Sequence, residues 1–374
     1  MERAARVTVT YTPPRIAIDA VPLLVRSAGV KNYLYHWITH LRRLTEVRLF
    51  PYLDRLPALD HEGSAAGAVG TLARQGLLYA LNHVPNHALD WIGPAADVFH
   101  ATKLLYPPRR ARLTATLHDL TCWLMPEFHQ ADNVAAEKHF AERIWKRADG
   151  LIAVSENTRQ DAVRILGLKP ERIEVIYPGV AEAYFAVTAG SAAAVRAKYG
   201  LARPYVLYVG TVEPRKNLDA LLDAWEAWEE FELVVAGPEG WRSKSTMARL
   251  KEGVRGVRYL GYVPEPDLPG LTAGAAVFIY PSLYEGFGFP VAQAMAAGVP
   301  VITSHVGSLP EITGGGAELI DPRSVSEMRA ALARLLTSPA ARERLAAVGR
   351  AQAQRFRWEE CARRSLEMFE KVAG

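Results

Sequence analysis

The feature that most constrains this chain is an alternation, sustained from end to end, of short apolar runs with longer helical patterns. In the first half "RIAID" (15–19), "VRLF" (47–50), "DVFH" (97–100), "LTATLHD" (113–119), "LIAVS" (151–155) and "IEVIYPG" (173–179) read as strands. Helical periodicity falls between them, at 30–43, 133–148 and 156–166. The series restarts after residue 200 with "YVLYVG" (205–210), "FELVVAG" (231–237), "VRYLG" (257–261), "AAVFIYPS" (275–282) and "VPVITSH" (299–305). Helices are expected there at 217–228, 265–273, 289–297 and 324–337. Strand–helix alternation of this kind builds a parallel sheet covered on both faces. Two series predict two Rossmann-like, doubly wound α/β domains with a seam near "YPGVAEAYF" (177–185). The tail from 339 to 372 reads as helical with a break near "RFRW" (355–358). One reading has it cap the second domain and cross back to the first. The domains expected are 1–180, with about 357–374 added, and 181–356.

At 374 residues the chain exceeds one ordinary core, which agrees with two domains. No apolar run is long enough to cross a membrane, and the N-terminus lacks the plan of a signal peptide. Its only cysteines, Cys122 and Cys361, lack metal-ligand spacing and suit buried free thiols in a reducing compartment. A net charge of +4 with pI near 9.0 suits an anionic substrate or an anionic lipid surface. The bias is too diffuse for nucleic acid. A cytoplasmic protein is therefore expected, with peripheral contact at the inner face of a membrane as a further expectation.

In open α/β sheets ligands collect beyond the carboxyl ends of the strands, so the residues following each strand are the informative ones. Residues 282–298, "SLYEGFGFPVAQAMAAG", place Glu285 on a glycine-rich loop before a small-residue, buried helix whose first turn contains Pro290. The start of such a helix holds anions and polar ligands. After the strand at 205–210 comes "TVEPRKNLDALLDAW". Here Arg215 and Lys216 precede a helix with Asn217 as its expected cap. Two cations there suit a diphosphate; an ordinary solvent-exposed pair is the alternative. His118, at the end of the strand at 113–119, could donate to a ligand, act as acid or base, or be structural. Gly29 opens the helix after the first strand, where a backbone approaches a phosphate or acceptor. No Walker motif and no Gly-x-Gly-x-x-Gly occurs. No two aspartates are separated by one residue, so a bound diphosphate is expected to be neutralised by Arg215 and Lys216 without a metal, and no cofactor is expected.

Together, "PSLYEGFGFPVAQAMAAGVPVI", "YVGTVEPRKNLDALLDAW", "VAGPEGW", "LGYVPEPDLPGL" and "VGSLPEI" resemble, in order, the motifs of the retaining GT-B glycosyltransferases of family 4. In the first half "GVKNYLYHW" and "LHDLTCWLMPEFH" fit more loosely. The resemblance covers essentially the whole chain. It implies two domains facing across a cleft, the first for the acceptor and the second for a nucleotide-sugar donor, with sugar transfer under retention. It further implies that Glu285 touches donor-sugar hydroxyls and that the backbones of Gly210, Gly286, Phe287 and Gly288 line the sugar and phosphates. Arg215 and Lys216 would stabilise the departing diphosphate, His118 would contact the sugar from the opposite wall, and the backbone at Tyr262 and Val263 would flank the base. The family's second glutamate is replaced by Gln293, which keeps an acceptor for the ribose but loses the charge.

The run of motifs looks most like the mannosyltransferase branch that builds bacterial surface polysaccharides. That implies mannose from GDP-mannose and a glycan or lipid-linked acceptor. Two alternatives stay open: a GT-B-fold nucleotide-sugar epimerase, and a catalytically silent nucleotide-sugar binder.

Overall fold

A computed structural model describes residues 13–24, 29–50, 76 and 95–374. The N-terminal stretch read for a signal peptide (through residue 12) and residues 26–28 before Gly29 lie outside the described residues.

Among the described residues, twelve strands form two six-stranded parallel sheets. The first contains β1 (Ile16–Asp19), β2 (Val47–Phe50), β3 (Val98–Ala101), β4 (Arg112–Leu117), β5 (Gly150–Ala153) and β6 (Ile173–Val175), in the order β2-β1-β3-β4-β5-β6. The second contains β7 (Tyr205–Val209), β8 (Glu232–Ala236), β9 (Val257–Gly261), β10 (Val277–Tyr280), β11 (Val301–Ser304) and β12 (Ala317–Ile320). Its order, β12-β11-β10-β7-β8-β9, is that of a doubly wound Rossmann sheet. β1, β3, β5, β8, β10 and β11 are buried along their whole length, as strands covered on both faces must be. Such strands read as continuous apolar runs, which is why the sequence reveals them.

Three differences from the sequence reading have physical causes. The strand β12 has no counterpart in that reading: its residues "AELI" are only partly buried and follow three glycines. The helix expected at 217–228 ends at Ala224, and Trp225 is already extended. Acidic residues crowd the next positions, where the negative end of a helix would repel them. Asn217 does precede that helix, but in a left-handed conformation (φ 60°) with no side-chain cap. Its amide instead donates to the carbonyls of Pro281 and Pro322 at 3.1 and 2.6 Å.

Contacts group the chain into two compact units. One holds residues 1–115, 147–150 and 362–374; the other holds 116–146 and 151–361. In the first, the C-terminal helix Trp358–Ala373 contributes Ser365, whose hydroxyl accepts from the indole of Trp37 at 2.9 Å. Phe369 meets both Trp37 and His100 edge-on. The tail breaks between Ala353 and Trp358, where expected. Cys122 and Cys361 are buried and form no disulfide among the described residues. No described helix is long and apolar enough to cross a membrane.

Candidate active site

The order of the second sheet reverses between β7 and β10, which pair through Val206–Val277 and Leu207–Phe278. The segments leaving their carboxyl ends must therefore meet. After β7 come Gly210, Glu213 and the turn Pro214–Lys216. After β10 comes the loop 281–288, then the buried helix Phe289–Ala296. The segments are laced together by Leu283 N–H donating to Arg215 O at 2.9 Å and by the Ser282 hydroxyl at 3.2 Å from the same carbonyl.

At this junction lies a cluster of four charges. Lys216 Nζ is 2.6 Å from Glu285 Oε1, and that oxygen also accepts from the hydroxyls of Ser282 (2.7 Å) and Tyr280 (3.0 Å). Arg215 places one terminal nitrogen 2.7 Å from Tyr284 O and 3.2 Å from Glu285 Oε2. The other donates to Glu213 Oε1 at 2.9 Å. The side chains of Arg215 and Lys216 are 12% and 13% exposed, so an ordinary solvated pair is excluded. Burial opposes the charge on Glu285, but Lys216 and Arg215 outweigh it and bring its carboxyl down to about 2. Against the same penalty, Glu285, Asp119 and Glu213 keep Arg215 firmly protonated. Burial, with Arg215 beside it, lowers Lys216. Burial raises Glu213 although Arg215 and Lys216 pull the other way.

The glycines of the loop are dictated by proximity. A Cβ on Gly286 would lie 1.8 Å from the carbonyl oxygen of His118. Gly288 has φ 90°, and a Cβ there would meet Leu309 at 2.7 Å. Gly210 is matched against Gly237, whose Cβ would fall 1.9 Å from the Gly210 carbonyl oxygen. The loop is also tied to the helix Glu156–Leu166: Thr158 donates to Gly286 O at 3.2 Å, and Asn157 donates to the hydroxyl of Tyr284 at 2.9 Å. That hydroxyl in turn bonds Asp161. Glu311 accepts from the N–H groups of Glu156 and Asn157 at 2.8 and 3.1 Å, capping the same helix, and from Tyr177 at 2.7 Å.

The sequence candidates thus divide. Arg215, Lys216 and Glu285 come together, with His118 half-buried at the end of β4 and its carbonyl against Gly286. Gln293 lies on the helix Phe289–Ala296, and its carboxamide has no hydrogen-bond partner among the described residues. Phe287 turns its ring into the core, edge-on to Phe289 and Phe356. Tyr262 is 51% exposed and Val263 only 4%, just beyond β9. Gly29 opens the helix Gly29–Leu41 in the other unit, with no described atom within 4 Å of the place a Cβ would take.

The sequence reading missed Glu213, Tyr280 and Ser282. An acid two residues before an arginine, and polar groups ending an apolar strand, were the available signals. It also missed Trp241, whose indole donates to Phe128 O at 2.6 Å and whose ring stacks on His129. Among the described residues no group of three or more His, Cys, Asp or Glu side chains could hold a metal ion.

Residues 194–352 match the family described as glycosyl transferases group 1, and residues 27–184 match glycosyltransferase family 4. The O-antigen chain mannosyltransferase B of Escherichia coli is 31% identical over 377 residues, spanning 95% of this chain and 99% of that protein. The serotype-specific mannosyltransferase WbdA of Escherichia coli is 29% identical over 68% of this chain, which matches 33% of WbdA's length. The crystal structure of Anabaena HepE in complex with UDP-glucose shares the fold. Its TM-score is 0.70 at 19% identity, covering 95% of this chain and 99% of that one. The whole-length likeness to a mannosyltransferase, the two family matches and the two Rossmann-type sheets agree: the chain belongs to the family 4, group 1 glycosyltransferases of GT-B fold.

Proposed function

We propose that the chain transfers mannose from GDP-mannose to a glycan or lipid-linked acceptor, with retention at the anomeric carbon and without a metal ion. The observation that carries this reading is the buried cluster of Arg215, Lys216 and Glu285 at the switch point of the second sheet. As a glycosidic bond to a diphosphate breaks, negative charge gathers on the leaving group. Fixed cations aimed at that charge stabilise the transition state more than the ground state. Glu285 Oε1 is taken up by three donors, whereas Oε2 faces Arg215 and keeps lone-pair capacity for a sugar hydroxyl. A carboxylate so heavily hydrogen-bonded is a poor nucleophile. In this reading the leaving phosphate itself guides the acceptor onto the same face of the sugar, which gives retention.

The roles follow the same division. Residues 181–356 bind the donor, with the backbones of Gly210, Gly286, Gly288, Tyr262 and Val263 beside it and Gln293 on the ribose. His118 contacts the sugar. Residues 1–180 with 357–374 bind the acceptor, and the basic surface allows peripheral contact with an anionic membrane. The likeness to the Escherichia coli mannosyltransferases supports the choice of sugar.

The test is transfer from labelled GDP-mannose to a mannose-terminated, lipid-linked acceptor, with and without EDTA, followed by determination of the anomeric configuration. An α-mannoside formed equally in both conditions is the expected result. A β-linked product or loss of activity on chelation overturns the retaining or the metal-independent part. An epimerised donor, or no turnover with any nucleotide sugar, points instead to the alternatives.

A further inference from the structure

We propose that Glu213 is a positioning residue for sugar transfer: it fixes the guanidinium of Arg215 and offsets the cluster's positive charge, so that the diphosphate is gripped in the transition state and released afterwards. The inference rests on the transfer reading above and extends it to a residue outside the motif's expected contacts.

Glu213 is itself rigidly placed. It is extended immediately before the turn Pro214–Lys216, and its carbonyl accepts from Lys216 N at 3.1 Å. The preceding Val212 is held by Pro238 O at 2.9 Å and by a bridge to Glu239. Its side chain is 3% exposed and ends 2.9 Å from Arg215. The two terminal nitrogens of Arg215 are thereby held from opposite partners: Tyr284 O and Glu285 on one, Glu213 on the other. The remaining Nε–H is buried and has no partner among the described residues. A guanidinium is a planar fork, so fixing both tips fixes the plane and the direction of that last donor. Buried donors left unpaired are uncommon and call for an explanation; an anionic oxygen of the donor is the acceptor this reading supplies.

Glu213 and Glu285 together balance Arg215 and Lys216. Asp119 acts on Arg215 as well, and removing the charge of Glu213 shifts this buried cluster by one unit toward positive, where Coulomb interactions are strong. A diphosphate product would then be held more tightly and leave more slowly, while a guanidinium without its bond to Glu213 would lose its aim at the charge that develops in the transition state.

The experiment compares wild type, Glu213→Gln and Glu213→Asp for donor kcat and KM, for calorimetric binding of GDP and UDP, and for thermal unfolding. Glu213→Gln is expected to lower kcat by about tenfold or more while tightening nucleoside diphosphate binding roughly threefold or more. Glu213→Asp, which keeps the charge at shorter reach, should recover part of kcat and leave diphosphate affinity near wild type. Unchanged kcat in both variants overturns the inference. So does a joint weakening of kcat and affinity that tracks lost thermal stability, which would make Glu213 structural only. Should Glu213→Gln fail to fold, Glu213→Asp decides alone: a lowered kcat with wild-type affinity supports the proposal, and wild-type kcat overturns it. If the wild-type protein binds neither nucleotide and turns over no nucleotide sugar, the transfer reading itself fails, and this inference with it.

Discussion

Lys216 and Glu285, 69 residues apart in sequence, form a 2.6 Å ion pair in which neither side chain is more than 13% exposed. Such a pair is costly to bury and costly to break, because removing one partner strands the other charge; about 3–5 kcal/mol is typical. Its acid dependence follows from Glu285. The folded-state carboxyl sits near 2, below the 4.5 of a free glutamate. Its stabilisation is therefore complete above pH 4.5 and is lost as pH falls toward 2. Denaturant unfolding across this window should lose on the order of 3 kcal/mol in wild type. Glu285→Gln should start less stable at pH 7 and show a shallower acid slope. Parallel slopes in the two proteins would contradict the pairing.

Removing either cation should strike chemistry as well as stability. Lys216→Ala and Arg215→Ala are each expected to lower kcat by roughly a hundredfold to a thousandfold. Arg215→Lys should recover little, since one ammonium cannot span Tyr284 O, Glu285 and Glu213 together. Steady-state kinetics at saturating donor, with circular dichroism to verify folding, checks this. Wild-type turnover in both alanine variants would place the diphosphate elsewhere.

Two glycines should respond in opposite ways. Gly286→Ala drives a methyl against the His118 carbonyl, so the backbone must shift. A stability loss of about 1–3 kcal/mol and weaker donor binding are expected. Gly29→Ala meets nothing within 4 Å among the described residues and occupies a helix start, so its stability should be unchanged or raised by up to about 1 kcal/mol. If the Gly29 backbone approaches a phosphate or the acceptor, that variant loses acceptor turnover while keeping its stability. Thermal melts paired with donor and acceptor kinetics separate these effects.

Gln293→Glu tests the ribose assignment. A carboxylate there would form charge-assisted bonds to ribose hydroxyls, so donor KM should fall or stay constant, with a gain of up to about 1 kcal/mol and little change in kcat. A collapse of kcat with KM preserved would show that this position acts on the reacting centre instead.

The sheets were legible because buried parallel strands are written as unbroken apolar runs. The half-exposed edge strands β2 and β9, "VRLF" and "VRYLG", were matched without a residue's difference through their valine and aromatic residues, as was the helix 156–166. β12 escaped because "AELI" follows three glycines and opens with alanine and glutamate, which strands disfavour, where β2 and β9 open with valine. At the site, residue types after the strands of the second sheet identified Arg215, Lys216 and Glu285 individually. That they bind one another could not be read, since the pairing depends on β7 and β10 being neighbours across the sheet's reversal. Glu213 was overlooked for a related reason. An acid beside a proline reads as solvated turn chemistry, and only the structure shows its carboxylate buried against Arg215.

The bond from Trp37 to Ser365 joins residues 328 positions apart, within a unit that also needs 147–150. On the ribosome, Trp37 emerges long before its partner exists. Trp37 and His100 wait for Phe369 to cover them. Domains usually fold in the order of synthesis; here the segment around Trp37 is finished only once Ser365 and Phe369 have been made. During that interval the apolar surface around Tyr33 and Trp37, fully buried in the folded chain, stands open to a chaperone.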